Sequence, residues 1–302
     1  MKPPLVVLCA TDLSPDGDLA VATAQRIAGL FASRLVFVHA VPYPAPSYVL
    51  FPHLVQASTD RLLTFSRVAA ETVSKRVASL TGRVAEEIDV RVDVGVPDEV
   101  IVEAAEESGA DLLILGAQGG DKTGKELGDT VLRVVRHAHC PVLVVREDPD
   151  QGPILAATDF SDQATDALSM ASLIAQKEGD PVVALNVVDS SPVTILPEIY
   201  GPGVLVPVPE SEHQAIRKAA SDHLAETLSR LEIKADRLIE DGTASERIVA
   251  IADQIDARLV AIGTKGGGGL RRLLLGSVAE DVLRHAPCSV LLVRHHTSGG
   301  HE

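Results

Sequence analysis

A glycine-rich stretch in the second half of the chain carries the residues best suited to chemistry. From Gly263 to Ser277 the sequence reads GTKGGGGLRRLLLGS: two glycines three positions apart, then nine residues, then a Gly-Ser pair. An apolar run of strand type precedes the stretch, and an apolar helical segment follows it. This order directs backbone N–H groups and a helix amino terminus at one point, which suits a bound anion. We therefore predict a phosphate-binding loop; the alternative is a surface turn with extra glycines.

The charge of the chain restricts where an anion can bind. The formal net charge is −15 over 302 residues, so we expect neither nucleic acid nor a membrane surface as a partner, since both need a broad basic face. Any anion site must be local. Lys265, Arg271 and Arg272 supply positive charge within the glycine-rich stretch.

Composition indicates a globular, cytoplasmic protein. Hydrophobic residues make up 46% of the chain and charged residues 23%, and the length allows two cores. Three cysteines cannot form a disulfide framework and suit the reduced thiols of a cytosol. The apolar run from Leu5 to Ala10 is too short for a signal-peptide core, and no run approaches the roughly 20 residues of a membrane span.

The sequence contains an internal duplication. The pentapeptide ATDLS at Ala10 returns as ATDFS at Ala157, and a second glycine pair, Gly116 and Gly119, lies 147 residues before the first pair. Beyond the glycine loops the offset becomes 148, so the first copy has lost one residue within its loop. A charged linker with Pro and Gly separates the copies. The predicted domains are residues 1–147 and 152–296, followed by a tail at 297–302.

Both copies alternate strands with helices. The first strands, Leu5–Ala10 and Ile154–Ala157, are apolar on both faces, as parallel strands covered by helices are. Ser14 and Ser161 then have the position of helix N-caps. The alternation predicts an α/β fold with two tandem doubly wound domains. In such sheets ligands bind beyond the carboxyl ends of the strands, where the Thr-Asp pairs and the glycine loops both lie.

One combination in the second copy points to a family. Thr158-Asp159 follows the first strand, and Gly263-x2-Gly266-x9-Gly276-Ser277 follows the fourth. This resembles the nucleotide-binding members of the universal stress protein family, whose motif is Gly-x2-Gly-x9-Gly-Ser/Thr. The resemblance covers nearly the whole chain as two tandem domains. It implies a five-stranded parallel sheet in the order 3-2-1-4-5 in each domain, covered by helices on both faces, with ATP bound between strands one and four.

The resemblance also implies roles for individual residues. Thr158 and Asp159 would contact the adenine and ribose side of ATP, and Val187 would pack against the adenosine. Those that would hold the phosphates are Gly263, Gly266, Gly276 and Ser277, with Val278 beside them. A carboxylate can accept hydrogen bonds from ribose, although helix capping also explains a Thr-Asp pair. Whether Mg²⁺ accompanies ATP is left open.

The first copy departs from the motif. Only eight residues separate Gly119 from Gly128, and Asp129 stands where Ser is expected. A carboxylate beside a phosphate weakens its binding, because two anions share a confined site. We therefore expect ATP mainly in the second domain, with Asp12 and Gly116 of the first domain serving turn geometry.

Other signals favour structure over chemistry. Glu126 replaces the Ser/Thr of a P-loop, and the second copy has Pro in place of His139, which argues against a metal site at His137, His139 and Cys140. We interpret these three residues as a helix end with a buried thiol. No catalytic set or metal site is predicted.

Three functions follow as hypotheses. The first is an ATP-binding regulatory protein of the universal stress type. The second is a nucleotide-independent scaffold for stress or protein interaction, suggested by the altered first site and the Pro-rich segments 42–53 and 192–209. The third is a slow ATPase or phosphotransferase, for which no base is identifiable. We expect at most weak hydrolysis.

The last strands raise the question of partners. They end at Val145 and Val293, and an apolar edge strand needs cover. The family resemblance implies pairing of last strands between domains or between chains, and we expect a homodimer.

Overall fold

The computed structural model describes residues 3–42, 55–118, 127–146, 152–189, 193–194, 205–206, 209–265 and 275–294. These residues form two compact units. The first unit contains the described residues up to 146 together with Leu275 and residues 289–294. The second unit contains the described residues of 152–265 and residues 276–288.

The first unit alternates strands and helices as the sequence predicts. Its elements in chain order are β1 (Val6–Ala10), α1 (Pro15–Phe31), β2 (Arg34–Pro42), α2 (Val55–Thr81), β3 (Asp89–Gly95), α3 (Pro97–Ser108), β4 (Leu112–Gly116), α4 (Asp129–His137) and β5 (Val142–Val145). A short 3-10 helix, Ala85–Glu87, precedes β3.

The sheet of the first unit is parallel, in the order β3-β2-β1-β4-β5. Its central strands are apolar on both faces, and Leu8, Leu113 and Ile114 are fully buried, as expected for strands covered by helices. Helix α1 buries an apolar stripe of Val21, Ala24, Ile27 and Ala28, with Phe31 half-buried at its end. The predicted order 3-2-1-4-5 is confirmed in this unit.

The second unit repeats the pattern. Its elements are β6 (Ile154–Ala157), α5 (Asp162–Glu178), β7 (Val182–Val188), β8 (Val193–Thr194), β9 (Leu205–Val206), α6 (Glu210–Arg230), β10 (Asp236–Asp241), α7 (Ala244–Gln254), β11 (Leu259–Gly263) and α8 (Ser277–His285). Four of the strands form a parallel sheet in the order β10-β7-β6-β11. The two-residue strands β8 and β9 pair antiparallel.

The last strand of the chain, β12 (Ser289–Val293), groups with the first unit. It runs antiparallel beside β5, with Val290 opposite Val144, and so covers the edge that the sequence predicts to be exposed. Arg294 secures the end of β12, because its Nη2 donates to the carbonyl oxygens of Val135 and Arg136 at 2.6 Å each. These carbonyls lie in the last turn of α4, where a cation is favourable.

The α/β class and the tandem arrangement are thus confirmed, and β12 is the predicted last strand of the second copy, paired antiparallel with the last strand of the first copy. The boundaries of the predicted domains stay a prediction. Helix α4 ends at His137, and Cys140 is buried just beyond it, as the interpretation of that segment required. Most of the two Pro-rich segments lies outside the described residues. In the described part of the chain, no helix is both long and apolar enough to cross a membrane.

Candidate functional site

The candidate site lies at the carboxyl edge of the sheet in the second unit. Strand β6 ends at Ala157 and β11 ends at Gly263, and the two strands are parallel neighbours with Ala156 opposite Ala261. Strand β7 flanks β6 on its other side. Thr158 and Gly263 therefore leave neighbouring strands at the same edge, which is the switch point where such sheets bind ligands.

The Thr-Asp pair of the second unit shapes a tight turn. Thr158 Oγ1 accepts a hydrogen bond from the backbone N–H of Phe160 at 3.0 Å, and Asp159 Oδ1 accepts from both the N–H and the hydroxyl of Ser161. Ser161 in turn caps α5 by accepting from Ala164 N at 3.3 Å. Ser161 is therefore the helix cap, as predicted, while Thr158 and Asp159 fix the turn that precedes it.

Phe160, within this turn, has an unusual backbone conformation and a stacked ring. Its backbone is left-handed, with φ of 65°, a conformation that residues other than glycine adopt at a cost. Its ring stacks on His223 of α6, with ring centroids 4.3 Å apart. The stacking on α6 helps to offset this backbone cost.

Strand β7 provides the third side of the site. Val187 is half-buried near the carboxyl end of this strand, opposite Glu240 of β10. The preceding residue, Asn186, is buried, and its Nδ2 donates to the carbonyl oxygen of Thr158 at 2.8 Å. This hydrogen bond ties the Thr-Asp turn to the strand that carries Val187. Sequence reasoning missed Asn186, because the contact joins two separate strands.

Close packing requires a glycine at position 263. A Cβ atom at this position would lie 2.9 Å from the backbone nitrogen of Ala164 and 3.1 Å from the Cβ of Gln163. Both contacts are at the start of α5. Only glycine lets the end of β11 approach the amino terminus of this helix so closely.

The two described ends of the glycine loop are joined to each other. Thr264 is buried, and its carbonyl oxygen accepts from Gly276 N at 2.8 Å. Its hydroxyl donates to Gln163 Oε1 at 2.9 Å. The loop therefore has a closed base formed by Thr264 and Gly276, with Gln163 attached to it. Gly266, Arg271 and Arg272 lie outside the described residues.

Helix α8 begins directly at this base. Gly276 is its N-cap and provides no side-chain cap for the first-turn N–H groups. Ser277 is exposed, and Val278 is half-buried. N–H groups in a first helical turn lack partners within the helix, and the helix dipole adds positive potential there. The start of α8 is thus suited to an anionic group.

The first unit builds the same turn. Asp12 Oδ1 accepts from the N–H and hydroxyl of Ser14, and Ser14 caps α1 by accepting from Gly17 N at 3.1 Å. Leu13 has φ of 65°, as Phe160 has in the second unit. His39 occupies the position of Asn186, and its Nδ1 donates to Thr11 O at 2.8 Å.

The glycine loop of the first unit has more acidic surroundings than that of the second unit. The backbone N–H of Gln118 donates to Asp16 Oδ2 at 3.0 Å, and Asp129 begins α4 with a second carboxylate. A Cβ atom at Gly116 would lie 2.6 Å from the backbone oxygen of Asp16. Asp12 therefore serves turn geometry, as expected, whereas Gly116 serves close packing. Sequence reasoning missed Asp16, although its counterpart 147 residues later is the uncharged Gln163.

Comparison with known proteins agrees with this architecture. The model of the universal stress protein family matches residues 6–146 and again residues 152–294. Two similar α/β units, each with a parallel sheet and a Thr-Asp turn after its first strand, define the chain as a tandem α/β protein. The chain belongs to the universal stress protein family, as a tandem two-domain member. This membership supports a role in the stress response.

Individual relatives cover most or half of the chain. Universal stress protein Rv2623 of Mycobacterium tuberculosis is 27% identical over 314 residues, which cover 96% of each chain. Universal stress protein Sll1388 of Synechocystis is 32% identical over 156 residues, covering 48% of this chain and 98% of the relative. A universal stress protein structure from Archaeoglobus fulgidus matches with a TM-score of 0.66 at 18% identity, covering 99% of this chain and 98% of that one. This structural similarity concerns the fold.

Proposed function

We propose that the chain is an ATP-binding universal stress protein with a regulatory role in the stress response, and that its second domain, residues 152–296, holds the nucleotide. The observation that carries the proposal is the closed loop base at Thr264 and Gly276, from which α8 starts without a side-chain cap. Such a helix start offers N–H donors and positive potential to a phosphate.

The remaining residues of the site are arranged to suit a nucleotide. Thr158 and Asp159 stand at the end of the strand beside β11, and Asp159 can accept a hydrogen bond from a ribose hydroxyl. Val187 offers an apolar contact for the adenosine on the neighbouring strand. The phosphate-binding group in the proposal comprises Gly263, Gly266, Gly276 and Ser277, with Val278 beside them.

Charge and compartment complete the proposal. Lys265, Arg271 and Arg272 balance the charge of the phosphates within an acidic chain. The acidic composition and the three buried cysteines, which form no disulfide, suit a cytoplasmic protein, and we include a homodimer in the proposal on the basis of the family. A requirement for Mg²⁺ is decided by repeating the titration below with and without the ion.

Isothermal titration with ATP tests the proposal, with Gly276→Asp as the disruptive variant. The substitution places a carboxylate at the start of α8, and its Cβ atom would lie 3.2 Å from Thr264 O. We expect wild type to bind one ATP per chain and Gly276→Asp to bind about 100-fold more weakly, because like charges repel in a confined site.

The matched control is Gly128→Asp, which makes the same change at the N-cap of α4 in the first unit. It should leave ATP binding unchanged. Tight binding that survives Gly276→Asp, or that is lost with Gly128→Asp alone, contradicts the assignment to the second domain.

A nucleotide-independent scaffold is the second candidate, and the Asp16 contact in the first unit favours it for that half of the chain. Mass spectrometry of nucleotide released from the purified protein separates the two functions. Co-purified ATP in amounts close to one per chain argues against the scaffold. A nucleotide-free protein that also fails to bind added ATP supports it.

A further inference from the structure

One helix position carries a charge in the first unit and none in the second. Asp16 is the second residue of α1, and Gln163 is the second residue of α5. The two positions correspond in the internal duplication, 147 residues apart. Each side chain reaches across the sheet edge to the residues that follow the fourth strand of its own unit.

The contacts of these two side chains differ in kind. Asp16 Oδ2 accepts from the backbone N–H of Gln118 at 3.0 Å, so an internal carboxylate binds a main-chain donor of the first glycine loop. Gln163 Oε1 accepts from the hydroxyl of Thr264 at 2.9 Å, so a neutral amide holds the base of the second loop. A phosphate oxygen binds to loop N–H groups of this kind. The carboxylate of Asp16 already occupies this donor.

Asp16 packs closely against the end of β4. The backbone of Asp16 lies so close to Gly116 that a Cβ atom there would be 2.6 Å from the Asp16 oxygen. An acidic residue in the first turn also stabilises α1 through the helix dipole. The dipole explains an acid near the helix start, but not a bond to a loop 102 residues away.

We propose that this helix position selects which domain accepts phosphate groups: Asp16 acts as an internal anion that excludes them from the first loop, whereas the neutral Gln163 admits them to the second. The selection rests on the proposed function, because it concerns the same nucleotide. It adds a selectivity residue outside the glycine motif, one that acts through charge and through its contact with the loop.

The test transfers the charge to the second domain. Gln163→Glu keeps the size of the side chain and an oxygen that can accept from Thr264, and it adds one negative charge. Gln163→Met removes the hydrogen bond without adding charge. ATP and adenosine are titrated into wild type and both variants by isothermal titration in EDTA, so that no metal ion bridges the new carboxylate to the phosphates.

We expect Gln163→Glu to bind ATP at least about tenfold more weakly than wild type, with adenosine affinity unchanged, because only the phosphates meet the added charge. The loss should shrink as salt concentration rises. Gln163→Met, which loosens the loop base without adding charge, should weaken ATP binding less than Gln163→Glu does, and its loss should not depend on salt concentration. The inference is overturned if Gln163→Glu binds ATP normally, if it loses adenosine equally, or if Gln163→Met is equally weak. Wild type that binds ATP neither in EDTA nor with added Mg²⁺ refutes the proposed function instead.

Discussion

The sheet edges of the two units share one backbone design and differ in the charges placed on it. In both units a residue with φ of 65° precedes a serine-capped helix, and a strand residue, half-buried His39 or buried Asn186, donates to the carbonyl of the turn. Around the loops, however, the first unit presents Asp16 and Asp129, while the second presents neutral groups at both places. The residues of the two turns thus give both units the same backbone geometry. The side chains around the glycine loops differ, and they decide which ligand each unit can bind.

A second contrast lies at the opposite end of the fourth strands. In the second unit Arg258 is buried and forms ion pairs with Glu178 and Asp180. At the corresponding position of the first unit, Asp111 accepts from the backbone N–H groups of Leu5 and Val6 at 2.9 Å each. Just before the fourth strand, this position therefore forms a buried ion cluster with the end of α5 in one unit and exposed hydrogen bonds with the start of β1 in the other.

The largest expected effect comes from breaking that ion cluster. Arg258→Met leaves two largely buried carboxylates without their cation, and we expect it to destabilise the second unit by about 3–5 kcal/mol. Asp111→Ala should cost the first unit only about 1–2 kcal/mol, because its hydrogen bonds are exposed. Urea unfolding followed by hydrogen exchange on peptides from each unit measures both. Equal losses of unfolding free energy in the two units would contradict the contrast between a buried ion cluster and exposed hydrogen bonds.

The glycines that end the fourth strands offer the next comparison. Gly116→Ala and Gly263→Ala force a Cβ atom against backbone at 2.6 and 2.9 Å, so we expect losses of about 2–3 and about 1–2 kcal/mol, in that order. The same unfolding assay reports them. Gly29→Ala is the control: it lies within α1 with open space around it, and alanine there should stabilise by about 0.5–1 kcal/mol. Losses in the reverse order would contradict the packing argument.

The serine caps should respond alike, which sharpens the claim that the two turns are equivalent. Ser14→Ala and Ser161→Ala each remove one acceptor for a first-turn N–H, and each should cost about 1 kcal/mol of unfolding free energy. Thermal unfolding of the two variants measures this. A loss confined to one variant would show that the turns differ in more than their ligand-facing side chains.

The smallest effect is expected at the thiols. Burial raises the pKa of Cys140 to about 12, and burial also raises the pKa of Cys9 well above its ordinary value. At about pH 8 both therefore stay protonated, and because the thiolate is the reactive form, iodoacetamide should not modify them in the native protein. Mass spectrometry should find all three cysteines modified only after denaturation. Native labelling of Cys140 but not Cys288 would show that the two counterparts differ in exposure.

Much of the fold could be predicted from the sequence because its signals are local. Apolar strands, the caps at Ser14 and Ser161 and the 147-residue offset fix the elements and their order within each copy. The convergence of Thr158 and Gly263 followed from the rule that parallel strands end at one edge. The contacts of Asp16, Gln163 and Asn186 depend on which side chains meet across strands, and no local pattern encodes that.

Pairing of the last strands between domains was one of two expected arrangements, the other being pairing between chains, and its antiparallel direction was not predicted. An apolar edge at β5 shows that cover is needed, but periodicity does not reveal which strand supplies it. The contacts of Arg294 with carbonyls at the end of α4 could not be predicted from the sequence either, since the residues lie far apart in the chain.

The pairing of β5 with β12 has a consequence for how the protein is made. The two strands are separated by about 150 residues of chain, and synthesis proceeds at roughly 5–20 residues per second. On the order of ten seconds therefore pass between the appearance of β5 and the arrival of its antiparallel neighbour. During that interval an apolar strand edge is open to wrong partners on the ribosome. The first unit is the first to be synthesised and the last to be completed.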